Sequence, residues 1–304
     1  MSFMQSMERI LERLRQNWFI RFIGSNFSYI VWFGVYFSFA LWIVGNNLRG
    51  FLIVGGIYGE SIAIALSPLG EIILQILEEC REPATEQEKN YLLPLFEEVY
   101  EYAKEMNPGL NKKIKIYIMD AMYVNAFAIG RKTIAVTRGA MSTFTADELK
   151  GIIAHELGHM SYGHTKALLL SLIGNLFFSV IVWVLKLLLN VLIIICNIVS
   201  HFSALGYFFG IIIFLIRMLL DVANFLFVNV SEMILAMNSR ANEIQADTFA
   251  YEIGYGKELI DGMYLLQKAS MGAKIKLSQR VKASHPHLAY RITRLEKLEN
   301  EGVA

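Results

Sequence analysis

Hydrophobic and polar positions along this chain alternate on two scales, one the thickness of a membrane and one the pitch of an ordinary helix or strand. Residues 22–48 contain no charged side chain in 27 positions. A helix needs about 20 apolar residues to cross a bilayer, so this run predicts a transmembrane span over roughly 28–44. Trp32, Tyr36 and Trp42 lie within it or at its edges, where amphipathic rings often sit. Residues 50–70 hold one charge, Glu60, and predict a second span, with a re-entrant segment as the alternative. Residues 167–239 are apolar over 73 positions except for Lys186, Arg217, Asp221 and Glu232. That length suits two spans, about 167–188 and 206–228, joined by a turn near 200–206. Asp221 and Glu232 are costly in hydrocarbon, so these helices are expected to run on beyond the membrane.

The shorter periods lie between these runs. Met7, Ile10, Leu11, Leu14 and Trp18 recur at helical spacing among arginines, which predicts a basic amphipathic helix over 1–24 lying on the membrane surface. Residues 86–107 read as an amphipathic helix entered through Thr85, with Pro94 near its first turns. Residues 113–119 alternate polar and apolar as a half-buried strand. Residues 125–129 and 133–137 flank Gly130-Arg131-Lys132 as a hairpin. Thr145 then caps a further helix, and Glu148 three residues on completes a capping box.

The chain therefore divides into an amphipathic helix (1–24), two spans (25–70), a polar segment (71–166), two more spans (167–239) and a second polar segment (240–304). An even number of crossings separates the polar segments, so they share one side of the membrane and can fold together as a mixed, mainly helical unit. Arg9, Arg13, Arg15 and Arg21 precede the first span, and the positive-inside rule puts that side in the cytoplasm.

Composition agrees with this division. The chain is 55% hydrophobic and 18% charged, against about 25% charged in soluble proteins. A net charge of +1 gives no basis for nucleic-acid binding. Two cysteines, Cys80 and Cys196, exclude a disulfide scaffold and a cysteine zinc finger.

The chemistry begins on the helix capped by Thr145, which carries His155-Glu156-Leu-Gly-His159. Histidines four apart stack one turn apart on one helix face, so both imidazoles can bind one Zn²⁺ with Glu156 beside the open position. Catalytic zinc needs a third protein ligand. Cys80 and Cys196 are poorly placed, and His164, five residues past His159, turns away from the metal face of a straight helix. Glu243, on a helix following the last span, can ligate zinc while Asp247 one turn later accepts a hydrogen bond from a ligating histidine.

Together these motifs resemble the membrane-bound zinc endopeptidases that include bacterial HtpX and the eukaryotic CAAX-prenyl endopeptidase. The matching pieces are Asn125-Ala126-Phe127-Ala128, His155 to His159, Ser239-Arg240-Ala-Asn-Glu243-Ile-Gln-Ala-Asp247, and His285-Pro286-His287-Leu-Ala-Tyr-Arg291. The resemblance implies a mainly α fold with a small β-sheet, a zincin-like metalloprotease core and about four transmembrane helices. It makes His155, His159 and Glu243 the ligands of one zinc ion, Glu156 the general base and acid, and Asp247 the orienter of a ligand. Asn125, Ala126 and Phe127 would hold an extended substrate backbone, and Arg291 would sit near the substrate. His285 would stabilise the transition state, with His287 two residues away as the alternative. The implied task is hydrolysis of polypeptides, chiefly membrane proteins, in inner-membrane quality control and the stress response.

Two other readings compete. An intramembrane protease of the site-two type needs an L-D-G aspartate with a nearby proline, but here Leu220-Asp221-Val222 lacks the glycine and no proline falls between Pro108 and Pro286. A non-proteolytic zinc-binding adaptor or transporter would use polar residues at mid-membrane, such as Glu60, Asn175, Lys186 and Asn190, yet these form no repeat.

Overall fold

A computed structural model describes residues 30–31, 33–38, 40–42, 44–270 and 288–301. The amphipathic helix expected over 1–24 lies outside these residues, and the first expected span falls only partly within them. Residues 33–38 of that span are helical, and the Tyr36 hydroxyl donates to the carbonyl of Phe227 at 2.6 Å.

The second expected span is helix α1 (Leu48–Leu66), capped by the Asn47 side chain, which accepts from Gly50 N. It ends at Ser67-Pro68, where proline opens the short helix α2 (Pro68–Leu77). After a two-residue strand β1 (Cys80–Arg81) comes α3 (Glu86–Met106), with the expected capping box formed by Thr85 and Glu88. Strands β2 (Lys115–Met119), β3 (Ala126–Ile129) and β4 (Thr133–Thr137) follow, then α4 (Arg138–Thr143) and α5 (Ala146–Tyr162). Two long helices come next, α6 (His164–Ser200, 37 residues) and α7 (Ala204–Ala250, 47 residues). A π-helical turn at Tyr251–Tyr255 leads into α8 (Gly256–Ser270), and α9 (Leu288–Asn300) closes the described chain.

Within the described residues, three helices are long and apolar enough to cross a membrane: Leu48–Leu66, Val182–Ser200 and Ala204–Val230. The expected third span ends near Leu188, with a turn near 200–206; the apolar helix runs without a break to Ser200 and the turn follows at His201–Ser203. Charge alone could not mark that end, since residues 187–200 contain none. At 1.5 Å per residue α6 is about 55 Å long and α7 about 70 Å, so both exceed a hydrocarbon core of about 30 Å. They form an antiparallel hairpin turning at His201–Ser203. Buried Val182 and the half-buried positions 186, 189, 193, 196 and 200 of α6 follow the 4-3 spacing of a coiled-coil seam. Lys186 on α6 pairs with Asp221 on α7, so two of the costly charges neutralise each other.

The sheet has strand order β1-β2-β4-β3, with β2 and β4 parallel and the other pairs antiparallel. Alternation along its strands feeds two cores. Ile116, Ile118, Ala128, Ile134 and Val136 pack with Leu92 and Val99 of α3 and Ile153 and Leu157 of α5. On the other side Ile129 joins Ala65 of α1, Leu74 of α2 and Leu169 of α6, with Phe127 against them. Each fully buried Leu or Ile here contributes about 1.5–3 kcal/mol. The hairpin between β3 and β4 is tied to the membrane helices by hydrogen bonds as well. The carboxylate of Glu71 on α2 accepts from Lys132 N (2.8 Å), Arg131 N (3.4 Å) and Thr133 Oγ1 (2.7 Å), while Thr165 on α6 donates to the carbonyl of Gly130 at 2.5 Å.

Candidate metal centre

Helix α5 buries Leu149, Ile153 and Leu157 in the core on one face, which turns His155 and His159 together toward α7. Helix α7 crosses α5 at Gly158 and Ala246. A Cβ on Gly158 would stand 2.9 Å from Ala246 Cα and 3.2 Å from Phe249 Cβ, so the glycine allows a backbone approach that any side chain would prevent. That approach brings Glu243 and Asp247, one turn apart on α7, against the two imidazoles.

His155 Nε2 and His159 Nε2 are 3.1 Å apart. His159 Nε2 is 3.3 Å from Glu243 Oε1, and His155 Nε2 is 3.4 Å from Glu243 Oε2. Donors on a tetrahedral zinc at bonds of about 2.0–2.1 Å are separated by about 3.3 Å. The two nitrogens stand about that far from each other and each from its own oxygen of the Glu243 carboxylate, and the donor set is the two-histidine, one-glutamate set that zinc accepts. Among the described residues the expected ligands His155, His159 and Glu243 are thus brought to one point.

The surrounding bonds orient these groups. Asp247 Oδ1 lies 2.9 Å from His155 Nδ1, as expected from its spacing. Burial alone would raise the Asp247 carboxyl, but the bonds from His155 and Arg291 overcome it and hold the group below the usual carboxylate range. For His155, burial and the nearby Arg291 charge oppose protonation, yet the bonds to Asp247 and Glu243 prevail and lift it to about 9. A metal would have to displace that proton. Glu156, between the histidines in sequence, is buried, and its charge reaches Arg291.

Arg291, expected near the active site, has its partners on α7. It reaches the centre from α9, but it is 6% exposed and its guanidinium is committed to carboxylates. Nε and Nη2 donate to Asp247 at 2.8 and 2.6 Å, and Nη1 lies 2.7 Å from Glu243 Oε2. It braces these two carboxylates. His285 and His287 lie outside the described residues.

Sequence reasoning missed His164. Gly163 ends α5 in the left-handed conformation (φ 77°), and the chain turns so that His164 returns to His159, with the two Nδ1 atoms 3.0 Å apart. Burial and the neighbouring His159 push His164 down to about 4. The assumption of a straight helix hid this residue, and Gly163 was the signal that the helix stops.

Asn125 precedes and Ala126 begins β3, an edge strand of the sheet. Thr137 N donates to Asn125 O at 3.0 Å and Asn125 N donates to Thr137 Oγ1 at 3.0 Å. Antiparallel alternation from that pair turns the backbone groups of Ala126 and Ala128 away from β4. Phe127 packs into the membrane-side core.

Two imidazoles of α5 and a carboxylate of α7 close enough to share one metal ion, with Glu156 next to the first histidine in sequence, form a candidate H-E-x-x-H metal site. The model of "Peptidase family M48" matches residues 93–299, and the chain belongs to that family. A "Protease HtpX homolog" of Dictyoglomus turgidum is 36% identical over 157 residues, covering 50% of this chain and 47% of its own, so the chain spans about half the length of that relative. One of Desulfotalea psychrophila is 25% identical over 302 residues, covering 91% of this chain and 98% of its own. A crystal structure of S. mikatae Ste24p aligns with 97% of this chain and 66% of its own at 19% identity and TM-score 0.47.

Proposed function

We propose that the protein is an integral membrane zinc endopeptidase that hydrolyses peptide bonds of polypeptides at the cytoplasmic membrane surface, membrane proteins being its natural substrates. The observation that carries this reading is the 3.1–3.4 Å triangle of His155, His159 and Glu243. A zinc ion held there would polarise the scissile carbonyl and lower the pKa of a bound water toward about 7.

The chain supplies the rest. Glu156 accepts the proton of the attacking water and returns it to the leaving amine. Asp247 holds His155 by Nδ1 and Arg291 fixes both carboxylates, so the ligands need no rearrangement. An extended substrate segment adds to the free edge of β3 through the backbone groups of Ala126 and Ala128, beside Asn125 and Phe127. Backbone pairing reads few side chains, which suits a broad range of sequences. The arginines preceding the first span support the cytoplasmic orientation, and the α6–α7 hairpin returns both halves of the centre to one side.

The test is a matched pair of full-length proteins in lipid nanodiscs. Glu156→Gln is expected to keep one zinc per chain and lose cleavage of a membrane-anchored reporter by at least about 100-fold. Glu243→Ala is expected to lose the zinc. Full cleavage by Glu156→Gln would overturn the enzymatic reading and favour a zinc-binding adaptor.

A further inference from the structure

The break between α5 and α6 builds a second support under the metal centre. His164, the first residue of α6, is buried at 8% exposure. Its Nδ1 stands 3.0 Å from His159 Nδ1, and its Nε2 stands 3.0 Å from Oε1 of Gln245, two residues past Glu243 on α7. The result is a three-residue chain running from α7 through the start of α6 to the end of α5. His155 has a charged support of its own in Asp247, whereas this chain contains no carboxylate.

We propose that Gln245 and His164 are positioning residues that set the tautomer of His159. The logic is directional. A neutral imidazole carries one N–H and one lone pair, and a metal at Nε2 requires the lone pair there. The proton of His159 then sits on Nδ1 and needs an acceptor, which among the described residues is the lone pair on His164 Nδ1 at 3.0 Å. His164 must in turn carry its proton on Nε2, and Gln245 Oε1 accepts that proton. Reversing any link would put a proton on His159 Nε2 and close it to metal. Because every link is neutral, the ligand is oriented without a further buried charge beside Glu243, Asp247 and Arg291. Glu243 and Gln245 share one helix, so the residue that ligates and the residue that sets the tautomer move together. Gly163 is what makes this possible, since a straight continuation of α5 would carry His164 away from His159.

This inference rests on the reading that His155, His159 and Glu243 hold zinc. Zinc affinity of the full-length protein is measured by competition with a chelator, together with the imidazole ¹⁵N shifts of His159 in the metal-free protein. Gln245→Glu keeps an acceptor oxygen and is expected to bind zinc within a few-fold of the parent. Gln245→Leu removes the acceptor and is expected to weaken zinc by about 10–100-fold, with His159 mixed between tautomers where the parent shows Nδ1–H alone. His164→Phe is expected to match Gln245→Leu; if it fails to fold, the Gln245 pair decides alone. Equal affinity in Gln245→Leu and Gln245→Glu, or equal loss in both, overturns the relay. His155→Ala serves as the separate control: if it keeps zinc, the metal-centre reading falls, and the relay with it.

Discussion

Replacing Arg291 with leucine separates two roles for this residue that the sequence could not distinguish. Its three nitrogens reach Asp247 at 2.8 and 2.6 Å and Glu243 at 2.7 Å, and all three groups are nearly sealed from water at 6%, 1% and 2% exposure. Removing one partner of a buried ion pair leaves an uncompensated charge, at a cost of about 3–5 kcal/mol. For a domain of this size each kcal/mol shifts Tm by about 2–4 °C, so metal-free R291L should melt about 6–20 °C below the parent. R291L/D247N should recover part of the loss, since neutralising Asp247 removes one stranded charge, with a coupling of about 0.5–3 kcal/mol. R291K keeps the charge but loses the forked geometry and should fall between. The assay is thermal unfolding of the metal-free proteins in one detergent, with zinc affinity measured in parallel. If R291L melts with the parent and only the KM for peptide rises, Arg291 faces substrate and the bracing argument is wrong.

Other perturbations test other links. G158A puts a Cβ 2.9 Å from Ala246 Cα, so it should push α5 and α7 apart, cost about 1–3 kcal/mol, and lower zinc affinity, read by melting and chelator competition. E71A leaves the backbone N–H groups of Arg131 and Lys132 without their acceptor, which should cost about 1–3 kcal/mol. Hydrogen exchange at residues 130–133 should quicken, and unchanged protection there would refute the tie. The ring of Arg81, Glu88, Asp120 and Arg138 predicts an acid response. Bonds from Arg81 and from the Ala84 and Thr85 amides hold Glu88 well below the usual carboxylate value of 4.5, and Arg81 and Arg138 hold Asp120 down to about 2. Both pKa values are lowered by folding, so their stabilisation is present above pH 4.5 and fades as pH falls toward about 2. E88Q should melt lower at neutral pH and show a flatter decline through that window in a Tm-against-pH series.

Much of the centre was legible because helical periodicity is local. His155 and His159 share a face by spacing alone, and the same holds for Glu243 and Asp247. The hairpin around Gly130 and the capping boxes at Thr85 and Thr145 were legible for the same reason: each is written within a few residues. What escaped depends on distant neighbours. Arg291 could be placed near the centre by resemblance, but its partners lie 44 and 48 positions away on another helix, and nothing local says whether it meets carboxylates or solvent. Glu71 is only the first residue of a polar segment in the sequence, and its bonds to the β3–β4 turn lie some 60 positions away. His164 was lost to the assumption of a straight helix.

The unbroken run of α7 gives the centre a fixed phase relative to the bilayer. Helix α6 is joined to the histidine helix through the bend at Gly163, which can absorb a small rotation. Helix α7 carries Glu243 on the same rod that begins at Ala204, with no bend between. One residue inserted between positions 230 and 242 would swing Glu243 by about 100° and advance it about 1.5 Å, taking its carboxylate out of the triangle. A seven-residue insertion nearly restores the angle but lifts the side chain by about 10 Å. No change of length in that stretch is silent. The spacing between the span and the ligand is thus as much a part of the metal site as the ligand itself.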